Sequence, residues 1–239
     1  MQSIKLSDNL AIRSLKKEYL LKRERIARRL QEFDRFYSGN YSWHFENGNM
    51  ELVLNDKNPD YNLFEELCFC ILTANTSAEM GMKSIDKIRN LLIEGKSEEM
   101  SEELEGTYRF NNLRPAFIVH TREFLNDNIN FKLKEKIESL KNNPDMLRDF
   151  FVENVKGFGY KEASHFLRNV GLKGYAILDK HILNSMIEFN VIEDIKMPLN
   201  KERYKELENK LRLFSNEIGI PIDELDLLLW SRRNGRILK

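Results

Sequence analysis

Two glycines and a lysine stand together in the stretch Val155-Lys156-Gly157-Phe158-Gly159-Tyr160-Lys161-Glu162-Ala163-Ser164. Glycines one residue apart allow a backbone turn that residues with a Cβ resist, and the apolar spacing from His165 to Val170 reads as a helix. A tight turn opening onto a helix leaves N–H groups unpaired at the positive end of the helix dipole, which is a seat for a phosphate. The same pattern also serves an ordinary connection between two helices. Further on, Asp179 directly precedes Ile182, Leu183, Met186 and Ile187 at helical spacing. It is therefore placed as an N-cap, whether or not its carboxylate also does chemistry.

The rest of the chain must position these groups. At 239 residues it can bury a real core in one domain or two small ones, and 41% hydrophobic with 32% charged residues fits a soluble globular protein. Its 38 basic and 38 acidic residues balance, so total charge gives no footprint of a polyanion partner. A turn that grips phosphates through main-chain N–H groups needs fewer cations. Cys68 and Cys70 are the only cysteines, and an i, i+2 pair points to different sides of a helix, as core thiols do. No apolar run approaches the ~20 residues of a membrane span and no signal peptide is evident, so an intracellular, cytoplasmic location and no membrane partner are expected.

Residues 10 to 37 read as a charged amphipathic helix with Leu15, Leu20, Leu21, Ile26, Leu30 and Phe33 as its apolar residues. Its cluster Lys22, Arg23, Arg25, Arg28 and Arg29 is either a solvated face or an auxiliary phosphate contact. Tyr41 to Phe45 and Met50 to Leu54 flank Asn47-Gly48, a β-hairpin signal, read here as a local elaboration with no tie to function. Helices are expected from Tyr61 to about Leu92, from Glu98, across 131 to 155, and over 200 to 230 with a break at Gly219-Ile220-Pro221. Phe110, beside Asn111 and Asn112, is oddly placed for the core, whereas Phe117 and Ile118 read as core. Asn75 is either a helix-end cap or a group presented to a ligand.

Val155 to Lys161 resembles the hairpin of the helix–hairpin–helix DNA glycosylases, with Lys156 in place of their usual proline. In that superfamily the lysine closing the hairpin is the nucleophile and an aspartate eighteen or nineteen residues later is its partner; Lys161 and Asp179 are eighteen apart. Residues 154 to 169, with the ending Glu224 to Trp230 and Gly235 to Lys239, look like the type 2 8-oxoguanine DNA glycosylases, over about Phe64 to Lys239.

The resemblance implies a mainly α fold of two packed helical subdomains, with the helix–hairpin–helix motif and the catalytic lysine and aspartate between them, plus a short N-terminal β-hairpin. The expected segments are an N-terminal extension over 1–60, a helical subdomain over 61–155, the motif over 153–172 and a C-terminal subdomain over 173–239. Lys161 would displace the base and form a Schiff base that permits β-elimination, and Asp179 would stabilise the developing positive charge. The lysine must be unprotonated to attack, a condition that burial and the helix terminus are expected to provide.

Phe110 and Trp230 would stack on the two faces of the oxidised purine, Lys239 would read it as the end group, and Asp226, one helical turn before Trp230, would bind its amino or imino edge. A core role for Trp230 remains open. Asn75 would enter the gap left by the extruded nucleotide, and Gly157, Gly159, Tyr160 and His181 would contact the backbone, with a plain surface role open for His181. No cofactor is required. The carbonyls of Glu153, Val155 and Phe158 form a candidate site for a sodium or potassium ion, and two cysteines cannot hold the four-cysteine iron–sulfur cluster of some relatives. The expected partner is double-stranded DNA with a flipped damaged base, bound by a nucleoid-associated monomer. The same chemistry on another damaged or mismatched base, or a non-catalytic DNA-binding module, are the alternatives.

Overall fold

The computed structural model describes residues 10–46, 48–198 and 200–239, so Asn47 of the hairpin signal lies outside the described residues. The fold is mainly helical, with one two-stranded antiparallel sheet. The helices are α1 Leu10–Ser38, α2 Pro59–Thr73, α3 Ala78–Ile88, α4 Ser97–Leu104, α5 Arg114–Ile129, α6 Leu133–Leu140, α7 Pro144–Asn154, α8 Tyr160–Asn169, α9 Lys180–Glu188, α10 Lys201–Ile218 and α11 Ile222–Asn234. Strands β1 Tyr41–Glu46 and β2 Asn49–Leu54 pair with Trp43 opposite Leu52 and Phe45 opposite Met50. Among the described residues no helix is long and apolar enough to cross a membrane.

Two compact units result, and the division falls within α1. The first holds residues 10–32 and Lys173–Leu238; the second holds Phe33–Leu172 with Lys239.

The second unit is built on α2. Asn58 caps this helix by accepting the Asp60 N–H, and Pro59 starts it where no N–H bond is lost. Every residue from Asn62 to Thr73 is buried, as expected of a helix that is apolar on all sides. Helices α3, α5, α6 and α8 and strand β1 pack around it. Trp43 of β1 is 2% exposed and lies edge-on to Phe33 at 5.8 Å, so the β-hairpin closes this core rather than hanging from it. Cys68 and Cys70 are both buried in α2, and burial pushes each thiol well above its ordinary range.

In the first unit, α11 packs on α9 and α10, and Phe189 stacks on Phe214 at 5.5 Å. The buried stripe of α1 differs from the expected one. Ile12, Leu15 and Ile26 are buried here, whereas Leu20 and Leu21 are 70% and 74% exposed. The turn between Leu15 and Ile26 is filled instead by Tyr19 and Lys22, three to four residues apart, which bond to Glu224 and Ser231. That spacing keeps one face of the helix inward and turns residues 20 and 21 away.

Between α8 and α9 the chain runs without regular structure through Tyr175, Ala176, Ile177 and Leu178, all buried. Main-chain groups taken inside must be paired, and helices α10 and α11 supply the partners. Glu208 accepts the Ala176 N–H at 3.1 Å, Asp226 accepts that of Ile177 at 3.0 Å, and the Tyr204 hydroxyl lies 3.2 Å from the Leu178 nitrogen while donating to the Ala176 carbonyl at 2.7 Å. Tyr204→Phe leaves two of these groups without their partner. The expected cost is about 1–3 kcal/mol of stability, read as a lower urea midpoint at unchanged slope; an unchanged midpoint would show that the segment finds other partners.

Candidate active site

Helices α7 and α8 meet in the turn 155–159. Val155 ends α7 by returning its N–H to Phe151, and Phe158 closes the turn on the Val155 carbonyl at 3.1 Å. Gly157 has φ +85°, a left-handed value that disfavours a side chain. A Cβ there would also stand 2.5 Å from the Phe117 ring and 2.9 Å from Arg114 Nη1. Gly159 differs from the expectation that both glycines are needed for the turn. Its φ of −111° is ordinary extended backbone, and its part is that of an N-cap whose N–H is accepted by Glu162 at 3.2 Å.

Lys161 follows in the first turn of α8. Its side chain is 27% exposed, and its amine lies 3.4 Å from the Glu162 carboxylate. The expected burial is thus only partial. Tyr160 turns its hydroxyl onto Asp149 at 2.9 Å, tying α8 to α7; burial and that bond push the phenol up to about 12.

Asp179 is the N-cap of α9. Its Oδ1 accepts the N–H groups of His181 and Ile182 at 2.8 and 2.9 Å, so the cap occupies a single carboxylate oxygen. His181 and Trp230 lie in the same unit, ring to ring at 6.3 Å and 73°. Trp230 is half-buried while Leu227, Leu228 and Leu229 before it are buried, which gives it a partly open ring rather than a core position.

Asp226 is the residue whose place departs most from expectation. It is 0% exposed, and its Oδ1 holds the Ile177 N–H two residues before Asp179. A carboxylate enclosed and engaged in this way acts on the backbone that carries Asp179, because the interior segment needs that acceptor.

In the second unit Asn75 sits just beyond α2 with φ +62° and is exposed. Holding a side-chain-bearing residue there costs about 1 kcal/mol, less for asparagine than for most, and it throws the amide outward. Phe110 is half-buried with the guanidinium groups of Arg109 and Arg114 at 5.0 and 5.5 Å from its ring. Ile118 is core as expected, but Phe117 is only half-buried, because its ring serves as the surface against which Gly157 turns. Arg114 was not singled out by the sequence and is central here. It is 7% exposed, it bonds the Ala74 carbonyl beside Asn75 at 3.5 Å, and it touches Phe110, Phe117 and Gly157.

Lys239 is buried in the second unit. Its amine pairs with Glu66 and lies 3.8 Å from the centre of the Phe69 ring and 5.2 Å from that of Trp43. Asn169 of α8 donates to the other Glu66 oxygen at 2.7 Å. Burial pushes the Glu66 carboxyl up and the Lys239 amine down, and each group opposes the other's shift. His165 bonds the Lys239 backbone, and its imidazole is held well below the ordinary range, first by burial and then by the charges of Arg168, Lys161 and Lys239. Trp43 therefore links the β-hairpin to Lys239, a link that the reading of a mere elaboration missed. The available signal was Glu65-Glu66 inside an otherwise apolar helix.

Among the described residues no group of three or more His, Cys, Asp or Glu side chains could hold a metal ion. Of the candidate cation ligands, the Val155 carbonyl accepts one N–H bond, and a carbonyl has a second lone pair to offer.

The family profile described as 8-oxoguanine DNA glycosylase matches residues 46–220. The 8-oxoguanine DNA glycosylase/AP lyase of Methanocaldococcus jannaschii is 44% identical over 177 residues, covering 74% of this chain and 82% of the relative. That of Korarchaeum cryptofilum is 37% identical over 218 residues, 91% of each chain. The crystal structure of the Methanocaldococcus jannaschii 8-oxoguanine glycosylase/lyase in complex with a 15mer DNA containing 8-oxoguanine matches with a TM-score of 0.78 at 37% identity, over 94% of this chain and 99% of that one. With a profile spanning most of its length, relatives more than a third identical and a shared fold, this chain belongs to the 8-oxoguanine DNA glycosylase family.

Proposed function

We propose that this protein is a bifunctional DNA glycosylase that removes 8-oxoguanine from double-stranded DNA and cleaves the resulting abasic site by β-elimination. The observation that carries the reading is the partly exposed Lys161 side chain in the first turn of α8, on a chain alike along nearly its whole length to a glycosylase/lyase crystallised with 8-oxoguanine DNA.

The damaged nucleotide leaves the stack first, since its anomeric carbon is out of reach inside a duplex. The Lys161 amine, as the free base, attacks that carbon; the new C–N bond replaces the glycosidic bond, and the base departs with its electron pair. Opening of the sugar ring gives the protonated Schiff base. Loss of a proton from C2′ then expels the 3′ phosphate. Asp179, its Oδ2 outside the helix cap, stabilises the positive charge that grows on the sugar.

Phe110 and Trp230 act as the aromatic faces for the purine, and Lys239, fixed by Glu66 and Asn169, as a purine-reading residue. Asp226 contributes through Ile177 and so through the placement of Asp179. Asn75 enters the vacated stack. Gly157, Gly159 and the start of α8 at Tyr160 receive the DNA backbone, as does His181. The carbonyls of Glu153, Val155 and Phe158 would hold a sodium or potassium ion, which would add positive charge beside a phosphate. The protein is assigned as a monomer acting inside the cell.

Borohydride trapping on a duplex with 8-oxoguanine tests the chemistry. Wild type should give a covalent adduct and Lys161→Gln none; an undiminished adduct in that variant would remove Lys161 from the reaction. Asp179→Asn should slow base removal by about 10²-fold or more, the scale of losing one electrostatic stabiliser, in single-turnover assays, and a wild-type rate would reduce Asp179 to a cap. Glu66→Gln leaves the buried Lys239 ammonium without its counter-charge. The expected loss is about 3–5 kcal/mol of stability together with poorer discrimination of 8-oxoguanine from guanine; discrimination equal to wild type in the folded variant would separate Lys239 from base reading.

A further inference from the structure

We infer that the first unit carries an additional seat for the DNA backbone, a cleft among α1, α9 and α11 in which Lys22 and Arg233, beside His181, grip a phosphodiester. The inference rests on the reading of the chain as a DNA glycosylase and adds to it a surface for the strand.

The cleft has a volume of about 500 Å³ and includes Glu18, Lys22, His181, Glu188, Arg232 and Arg233 in its lining. Its two carboxylates share a single guanidinium. Arg232 takes both oxygens of Glu188 at 2.8 Å each and reaches Glu18 at 3.4 Å, which offsets one of the two acidic charges of the cleft. Lys22 donates to the neutral Ser231 hydroxyl at 3.0 Å, and that hydroxyl donates to the Leu228 carbonyl at 2.7 Å. Arg233 is exposed and bonds the ring nitrogen Nε2 of His181. Among the described residues neither Lys22 nor Arg233 pairs with a carboxylate, so with Arg232 shared between two acids the cleft keeps an excess of one positive charge, carried by two side chains that are held in place.

Their chemistry selects the ligand. A guanidinium offers a planar fork of donors that matches phosphate oxygens, and an ammonium adds a point charge. A nitrogen of His181 that accepts from Arg233 places the ring proton on Nδ1, so the imidazole fixes the fork while the fork supplies the charge. The site also has an address. His181 lies two residues after Asp179, within about 7 Å along the chain, so a strand whose nucleotide is presented to Asp179 brings a flanking phosphate to the cleft. The anchoring of Lys22 gives the basic face of α1 a task. Of that cluster, Lys22 is the residue with a bond into α11, whereas Arg29 pairs with Glu32 on α1 itself.

The test is the salt dependence of binding to a duplex with a tetrahydrofuran abasic site. Each phosphate contact contributes about 0.9 to the slope of log affinity against log salt concentration. Arg233→Gln and Lys22→Gln should each lower the slope by about that amount, which is roughly eightfold in affinity at 0.1 M salt relative to 1 M. Arg233→Lys should retain the slope, because it keeps the charge. Unchanged slopes in both glutamine variants, or an equal fall in Arg233→Lys, would overturn the assignment, the latter by showing that Arg233 only braces the fold. Binding of inorganic phosphate that is lost in Arg233→Gln with no change in the DNA slope would mark a free-anion site and overturn it too. Borohydride trapping of wild type on a preformed abasic site reports separately on the catalytic reading, so a protein that traps with unaltered variant slopes refutes the cleft alone.

Discussion

A polar group enclosed by protein costs more than most contacts return unless it finds a partner, and both units meet this demand at the residues assigned to chemistry. In the first, the segment from Ala176 to Leu178 enters the interior with its main chain bare, and Glu208, Asp226 and Tyr204 supply the missing half of each bond. Asp179 is thereby held at the mouth of α9 by three side chains that bond the backbone leading to it. In the second, the Lys239 amine sits among aromatic rings, where only the Glu66 carboxylate and the Asn169 amide behind it make the charge tolerable. Asp179 and Lys239, the groups assigned here to charge stabilisation and base reading, are thus held through interior networks, which position a side chain more firmly than a surface loop can.

Backbone strain is spent in the same places. The left-handed residues include Gly157, in the turn before Lys161, and Asn75, just past α2. Gly157 is required twice over, by its φ and by the Phe117 ring and Arg114 guanidinium that fill the space where a side chain would go. Arg114 then reaches the Ala74 carbonyl next to Asn75 and lies against Phe110. One buried guanidinium ties the hairpin, the amide and the aromatic ring into a single arrangement, which accounts for how three loops distant in sequence keep a fixed geometry.

Charge follows a comparable logic. A chain with equal numbers of acids and bases has no overall field to draw in DNA, yet neutrality of the whole does not prevent local excess. In the cleft beside His181, Arg232 engages both acids and leaves Lys22 and Arg233 without a carboxylate partner, so the lining keeps a small positive excess. Ion pairing on one side of a site is what exposes positive charge on the other.

The turn at Gly157 and the helix start at Asp179 were legible in the sequence because local chemistry dictates them: a left-handed turn needs glycine and a helix start needs a cap, whereas the roles assigned to Lys161 and Asp179 came from the resemblance to a family. The helices after Gly219 and around α6 and α7 were legible for the same reason, since periodicity and breakers act within a few residues. The roles of Leu20 and Leu21, of the β-hairpin's Trp43 and of Phe117 depend instead on which neighbours arrive from elsewhere in the chain. Asp226 is the clearest case. Its helical spacing suggested a ligand contact; what the structure adds is that the interior segment it faces lies 49 residues earlier, where the buried Ile177 N–H occupies one of its oxygens. Sequence determined what each local element had to be; the tertiary structure alone decided which polar groups were taken inside, because only burial removes the water that would otherwise have paired them.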